Sequence, residues 1–210
     1  MRMRDGLYVQ YGCGFSAPEE WRSFDASPTL RFERLPLVGK LYTRNSSRFP
    51  RNVEYGNIVE GLPLPQESCR AVYSSHVLEH LGLVDFKKAI RHTYRLLKPG
   101  GVFRSVLPDL EFLANRYVED GSQTAAPDFM RNSYLGICDR PRGIRGLLSA
   151  WLGNSKHLWM WDFKSIEAEL KDCGFVDIRR AKYGDSTDPM FQYVEEENRW
   201  INCLGLECHR

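Results

Sequence analysis

Long apolar runs are the first feature that this sequence lacks. No segment approaches the ~20 consecutive apolar residues that a transmembrane helix needs, so no membrane span is expected. The basic start, Met1 to Arg4, is not followed by the hydrophobic segment of a signal peptide. These absences predict a cytoplasmic protein.

An excess of one charge and paired cysteines are also missing. The chain has 29 Lys and Arg against 27 Asp and Glu, and its most basic cluster, Arg140 to Arg145, is short, which disfavours a nucleic-acid partner. None of the six cysteines forms a CxxC pair. Cys203, Cys208 and His209 lie close together near the end of the chain, but four well-spaced metal ligands are absent. We therefore expect reduced thiols and no bound metal.

What the sequence does have is the composition of an ordinary globular protein. Its 210 residues are 42% hydrophobic and 27% charged, which is typical of a folded domain large enough to bury a full core. We expect a single domain over residues 1–210.

The most informative stretch runs from Arg70 to Asp109. An apolar run, Ala71 to Tyr73, is followed by the letters SSHVLEHL and then by apolar residues at helical spacing from Leu83 to Leu97. The helix is expected to end at Lys98-Pro99-Gly100-Gly101, and a second apolar run, Val102 to Leu107, follows. This pattern predicts two parallel strands joined by a helix.

The order of strand, SSHVLEHL, helix, LLKPGG and a strand ending in Pro108-Asp109 resembles the centre of a class I S-adenosylmethionine (SAM)-dependent methyltransferase. The chain is most similar to the small, single-domain bacterial proteins of the type 11 group. The resemblance implies a three-layer αβα Rossmann-like fold, whose seven-stranded, mostly parallel sheet has one antiparallel strand. That strand would be Trp200 to Cys208, inserted between the fifth and sixth strands. SAM would be the cofactor and S-adenosylhomocysteine (SAH) the product.

A glycine loop follows the predicted first strand, Leu7 to Tyr11. Glycines at this point let the backbone turn tightly and approach a ligand. By resemblance, Gly12, Cys13 and Gly14 form the loop that lies against the methionine part of SAM. Only two of the family's usual glycines are present. The bulky Tyr11 stands beside the loop, which predicts a reshaped pocket or weaker SAM binding.

Two further positions are expected to meet the nucleoside. Asp25 ends the second predicted strand, where a carboxylate can accept both ribose hydroxyls; alternatively, it only opens the turn Asp-Ala-Ser-Pro. Asn57 stands where the family has an acidic residue that meets the adenine amino group, and its side-chain oxygen can still accept that hydrogen bond. Ile58 would pack on the adenine ring or offer its N–H to N1.

The fourth predicted strand ends in Ser74, Ser75 and His76. Ligands of open α/β sheets bind at this edge, and the resemblance implies that these residues cradle the methionine part of SAM and face the acceptor. The family usually has an aspartate at the start of this strand, where Arg70 reverses the charge.

Three histidines are candidate bases, because imidazole titrates near neutrality. His76 and His80 lie in the SSHVLEHL segment, where each is alternatively a loop histidine bonded to backbone. His157 opens a segment that resembles the mouth of the family's acceptor pocket. That segment ends at Asp162, which is expected to cap a helix that Gly174 terminates.

The insertion at about 110–156 is the candidate lid over the acceptor. It starts with a helical pattern after Asp109 and includes an apolar patch, Leu147 to Leu152.

The function implied by the resemblance is methyl transfer from SAM to a small-molecule or sugar acceptor. A second hypothesis is a degenerate SAM-fold binding or partner module without catalysis, suggested by Tyr11, Arg70 and the missing glycine. A third is a nicotinamide-dependent oxidoreductase, which the absence of GxGxxG and of a catalytic Tyr–Lys pair disfavours.

Overall fold

The computed structural model describes residues 6–35, 48–137 and 156–210. Seven strands within these ranges form one sheet, in the order β3-β2-β1-β4-β5-β7-β6. The strands are β1 Leu7–Tyr11, β2 Arg22–Asp25, β3 Val53–Tyr55, β4 Cys69–Ser75, β5 Leu97–Pro108, β6 Val176–Ala181 and β7 Cys203–His209. Neighbouring strands run parallel, except that β7 runs antiparallel to β5 and β6. The predicted fold class is confirmed, including the insertion of the last strand.

The last strand begins later than the sequence predicts. Trp200 follows a 3₁₀ turn, Glu197–Arg199, and its N–H donates to the Glu197 carbonyl. Asn202 then adopts the left-handed region with φ 58°, a conformation that Asn tolerates better than most residues. The strand therefore starts at Cys203 instead of Trp200.

Five helices lie in the described ranges: α1 Pro28–Glu33, α2 Leu83–Leu96, α3 Leu110–Glu119, α4 Ala125–Asn132 and α5 Phe163–Cys173. The helix α5 begins and ends at the capping residues that the sequence predicts. Asp162 accepts from the Ser165 N–H at 2.8 Å in a capping box, and Gly174 ends the helix at φ 106°. None of the described helices is long and apolar enough to cross a membrane.

Helices α2 and α5 cover one face of the sheet. The apolar stripe of α2 turns Phe86, Ala89 and Ile90 inward, and Phe86 meets Trp161 at 4.2 Å between ring centroids. Full burial of side chains such as Phe86 and Ile90 contributes about 1.5–3 kcal/mol each. This packing fixes the loop before α2, which carries the SSHVLEHL segment, against the sheet.

The opposite face is covered differently. The connection from β1 to β2, residues 12–21, contains no helix. Segment 189–200, with two short 3₁₀ helices, lies there instead and packs Phe191 against Trp21 and Tyr73 at ring distances of 5.4 and 6.2 Å.

The insertion after β5 is described in part. Helices α3 and α4 pack together, with Tyr117 and Phe129 at 5.7 Å between ring centroids. The predicted apolar patch at 147–152 and the basic cluster at 140–145 lie outside the described residues, so the lid interpretation stays a prediction.

Candidate active site

The glycine loop makes the closest approach between β1 and the loop after β4. Gly12 has φ 65°, and a Cβ built on it would lie 2.1 Å from the Val77 Cγ2 atom. Gly14 also has a positive φ, 55°, but a Cβ there would meet no atom within 4 Å. Only glycine therefore fits at position 12, because both the backbone conformation and the available space exclude a side chain.

Asp25 holds this loop in place. Its Oδ2 accepts from the Gly14 N–H at 3.0 Å, and its Oδ1 accepts from the Ser27 N–H at 2.7 Å. The second bond is the one expected of a turn-opening aspartate. The carboxylate has further lone pairs, so contact with a ribose stays a prediction beside this structural role.

Cys13 lies in the same loop and is half-buried. Burial, reinforced by the charge of Asp25, raises the pKa of its thiol to about 12. The thiol therefore stays protonated near neutral pH and is not a nucleophile.

A cavity of about 450 Å³, here called the glycine-loop cavity, lies beside this turn. It is lined by Gly12, Cys13 and Gly14, and also by Ser75 and Arg199. Four of the predicted cofactor residues are thus brought together around one space at the carboxyl ends of β1 and β4.

Other predicted cofactor residues do not line this cavity. Asn57 uses its side-chain oxygen to accept from the Val59 N–H at 3.0 Å, and the Ile58 side chain is buried in the core. The core position argues against packing of the Ile58 side chain on an adenine ring, and a contact through its N–H stays a prediction. Ser74 is fully buried within the sheet.

Tyr11 lines the glycine-loop cavity, and its effect on SAM binding stays a prediction. Its ring is buried in the core beneath α2, and its hydroxyl accepts from Thr93 Oγ1 at 3.4 Å. Burial raises the pKa of Tyr11 to about 12. Most of the side chain is therefore packed in the core, on the sheet face that α2 covers.

The charge reversal at Arg70 is also remote from the site. Arg70 lies at the start of β4 and pairs with Asp188 at 3.3 Å. At about 3.3 Å per residue, the length of the strand separates it from the SSHVLEHL segment. Its charge therefore does not act on the glycine loop.

A second cavity of about 640 Å³, here called the histidine cavity, adjoins the first. His76, His80 and His157 line it, together with α3 residues such as Arg116. Arg199 lines both cavities. It donates from Nε to Ser75 Oγ at 2.8 Å and from Nη2 to the Ser75 carbonyl at 3.3 Å. The sequence analysis did not identify Arg199, which lies in no recognised motif.

His76 is held as a cation. Its Nδ1 lies 3.2 Å from Glu79 Oε1, and its Nε2 lies 3.0 Å from the Arg199 carbonyl, so both ring nitrogens face acceptors. Burial opposes the charge, but hydrogen bonds to Cys203, Glu79 and that carbonyl raise the pKa of His76 to about 10. A protonated imidazole has no lone pair to accept a proton, which argues against His76 as the base.

His80 and His157 have the opposite character. His80 donates from Nδ1 to the Lys156 carbonyl at 2.9 Å, and His157 donates from Nδ1 to the Ser133 carbonyl at 2.8 Å. A neutral imidazole that donates from Nδ1 has its lone pair on Nε2. Burial lowers the pKa of His157, which favours its neutral form. The two rings meet edge to face at 5.0 Å.

Glu79 lies close to both His80 and His157. Its carbonyl accepts from the Leu158 and Trp159 N–H groups at 2.7 and 3.2 Å, which ties the SSHVLEHL segment to the segment before α5. Its side chain is fully buried. The potential ligand atoms of Glu79, His80 and His157 all lie within 4.8 Å of one another.

Cys203 and Cys208, which lie close together in the sequence, are not close together in the fold. Cys208 is buried in the core beneath α2, whereas Cys203 packs in the cluster of the opposite face. Because strand alternation places residues 203 and 208 on opposite faces of the sheet, the two thiols cannot bind the same metal ion.

Comparison with known proteins agrees with the fold. Residues 35–105 match a family model described as "Methyltransferase domain". No curated protein matches the sequence.

Similar solved structures include three methyltransferases of low sequence identity. A SAM-dependent methyltransferase from Thermotoga maritima, described as a possible histamine N-methyltransferase, is 13% identical, with 99% of this chain and 84% of that one covered at a TM-score of 0.52. A SAM-dependent methyltransferase from Archaeoglobus fulgidus is 15% identical, with 98% and 87% covered at 0.50. A putative methyltransferase from Haloferax volcanii, solved with the Trm112 activator, is 14% identical, with 98% and 82% covered at 0.50. At these identities the likeness is one of fold.

Proposed function

We propose that this chain is a class I SAM-dependent methyltransferase and that it moves the methyl group of SAM to a small-molecule or sugar acceptor. Its fold and the family model that matches residues 35–105 support this proposal. The whole chain, residues 1–210, would form one domain, with the insertion at about 110–156 over the acceptor.

The observation that carries this proposal is the contact between the two cavities. Arg199 lines both cavities, and the consecutive residues Ser75 and His76, at the carboxyl end of β4, line the glycine-loop cavity and the histidine cavity respectively. Methyl transfer needs the sulfonium methyl and the acceptor aligned at short range, since alignment itself lowers the barrier. Adjoining spaces for donor and acceptor meet this requirement.

The glycine-loop cavity would take the methionine part of SAM, with the backbone of Gly12, Cys13 and Gly14 beside it. Ser75 and the Arg199 guanidinium would line the opposite wall. A carboxylate of the ligand would be attracted by that guanidinium. The nucleoside would extend toward Asp25 and toward the Asn57–Ile58 backbone, over the ends of β2 and β3.

The histidine cavity would take the acceptor. A hydroxyl acceptor must lose its proton as the methyl arrives. His80 and His157 are placed to accept that proton, because each has its Nδ1–H committed to a carbonyl and its Nε2 available. His76, as an imidazolium, would instead hold Glu79.

The test is calorimetric titration of the purified chain with SAH. We expect micromolar binding by the wild type and at least ~10-fold weaker binding by Asp25→Ala, which corresponds to about 1.4 kcal/mol. Glu54→Ala is the matched control, because Glu54 lies on β3 and its side chain is 42% exposed. Its SAH affinity is expected to stay unchanged.

Two results would contradict the proposal. Absence of SAH binding by the wild type would favour the binding-module hypothesis instead. Binding of a nicotinamide nucleotide in preference to SAH would favour the oxidoreductase.

A further inference from the structure

We propose that Glu79, His80 and His157 bind one divalent transition-metal ion, with open coordination positions that face the histidine cavity. This inference goes beyond methyl transfer and departs from the expectation of no metal that the cysteine pattern suggested. It depends on three side chains from two separate segments, which the fold brings together.

The spacing of the three groups suits a metal ion. Zn²⁺ binds His nitrogen and carboxylate oxygen at about 2.0–2.2 Å, so two of its ligands lie at most about 4.3 Å apart. The candidate ligand atoms lie within 4.8 Å of one another. Small rotations of the side chains would therefore close the site around an ion, without movement of the backbone.

The orientation of both histidines matches that of metal ligands. A metal-bound imidazole nearly always donates its other ring N–H to a carbonyl or carboxylate, which fixes the tautomer and turns the lone pair toward the ion. His80 and His157 make this bond with the carbonyls of Lys156 and Ser133. The supporting hydrogen bonds of a metal site are thus already in place.

The burial of Glu79 is a second observation that points to an ion, and it is independent of the spacing of the three ligands. The Glu79 side chain is 0% exposed, and its Oε2 has no partner among the described residues. The nearest cation is the His76 ring, 3.2 Å from Oε1. Burying a carboxylate is costly unless its charge is compensated and its oxygens are bonded. A metal ion on Oε2 would satisfy the oxygen that the His76 ring leaves without a partner.

The donor set indicates the class of metal. Two imidazoles and one carboxylate suit Zn²⁺ and neighbouring transition metals, and three protein ligands are the number found where a further position stays open. The nearest described thiol, Cys203, contacts His76 at 4.0 Å and is not in the cluster. Ligation by nitrogen and oxygen alone is therefore expected.

The place of the site suggests its use, which rests on the proposed function. Open positions would face a cavity that also contains Arg116, Asn132 and Tyr134. An ion there would bind an oxygen of the acceptor and lower the pKa of the acceptor hydroxyl. His80 and His157, as ligands, would then not accept the hydroxyl proton themselves, so the ion would replace their proposed role as bases. The acceptor class would then be a molecule that presents a hydroxyl together with a second oxygen able to chelate.

The experiment titrates the chain, first freed of metal by chelator dialysis, with ZnCl₂ by calorimetry and with CoCl₂ by visible absorption. We expect one ion per chain, and at least ~100-fold weaker binding in His80→Ala, His157→Ala and Glu79→Gln, since even supporting residues typically contribute 10–100-fold. His92→Ala serves as the control with unchanged affinity. Circular dichroism confirms that each variant is folded.

Three outcomes would overturn the metal site. These are failure of the wild type to bind one equivalent, equal binding by the histidine variants, and a thiolate-to-cobalt charge-transfer band. SAH titration of the same proteins separates the two proposals. Retained SAH binding without Zn²⁺ binding removes only the metal site, whereas Zn²⁺ binding without SAH binding removes only the proposed methyl transfer.

Discussion

Replacement of Arg104 by methionine should destabilise the fold strongly. Arg104 lies in the centre of β5 with a fully buried side chain. It bonds three carboxylates and one carbonyl, and its guanidinium lies 4.7 Å from the ring centroid of Trp200. The bonded groups are Glu195, Asp185 at 2.9 Å, Glu207 at 2.9 Å and the Lys182 carbonyl at 2.6 Å. The side chain thus ties β5 to β7 and to the segment that covers the sheet.

The magnitude follows from what the substitution leaves behind. The side chains of Glu195 and Glu207 are only 1% and 6% exposed. Removing one partner of a buried ion pair costs about 3–5 kcal/mol, because the other charge stays buried. Glu207 keeps a second partner, Arg179, at 2.6 Å, so we expect about 3 kcal/mol. For a domain of this size that corresponds to a melting temperature about 6–12 °C lower.

The measurement is urea unfolding followed by circular dichroism, with Arg22→Met as the control. The Arg22–Glu54 pair joins β2 to β3, but its side chains are 40% and 42% exposed. Exposed pairs typically contribute about 0–1 kcal/mol. If Arg104→Met loses no more stability than Arg22→Met, the buried network does not hold this half of the sheet as argued.

Three further predictions concern the glycine loop, a helix cap and pH. Gly12→Ala should weaken SAH binding at least ~10-fold, and more than Gly14→Ala does. Both variants replace a glycine at positive φ, but only the new Cβ at position 12 would meet a side chain. Equal losses of affinity in calorimetry would refute the steric reason. Asp162→Ala should cost about 1 kcal/mol of unfolding free energy through loss of the capping box, and an unchanged urea midpoint would contradict it. Burial opposes the charge of Asp185, but hydrogen bonds from Arg179 and neighbouring groups lower its pKa to about 2. The carboxylate therefore contributes stability above pH ~4 that is lost between pH ~4 and ~2, and Asp185→Asn should remove about 1 kcal/mol at pH 6 but little at pH 2.

Much of the fold could be predicted because its signals are local. The helical spacing from Leu83 onward, the Asp162 cap and the Gly174 stop each lie within a few residues of the structure that they determine. The antiparallel position of β7 came from the family resemblance instead. The alternation of apolar and polar residues predicts a strand there, but it does not predict which strands lie beside it in the sheet.

The Arg104 network could not be predicted in the same way. Arg104 interrupts an apolar run, and its acidic partners lie 81, 91 and 103 residues further along the chain. The pairing with Glu207, however, could have been predicted. The register of β5 with β7 places Arg104 opposite Glu207, so a pairing of the two strands residue by residue would have found it.

The candidate site was predicted in part for a related reason. The glycine loop and the SSHVLEHL segment lie at ends of neighbouring parallel strands, so topology alone brings them together. His80 and His157 are 77 positions apart, and their contact depends on backbone bonds from Leu158 and Trp159 to the Glu79 carbonyl. Sequence reasoning identified both histidines separately, but not that Glu79 lies between them.

The position of Arg199 depends on the short connection after β1. Because residues 12–21 form no helix, the sheet face beside β1 must be covered by another part of the chain. Trp21 takes part in that cover, since its Nε1–H donates to the Met190 carbonyl at 2.9 Å and its ring packs on Phe191. This contact draws segment 189–200 across the end of β4 and places Arg199 on Ser75. The short connection that leaves the glycine loop open is therefore the structural reason that a guanidinium lies between the two cavities.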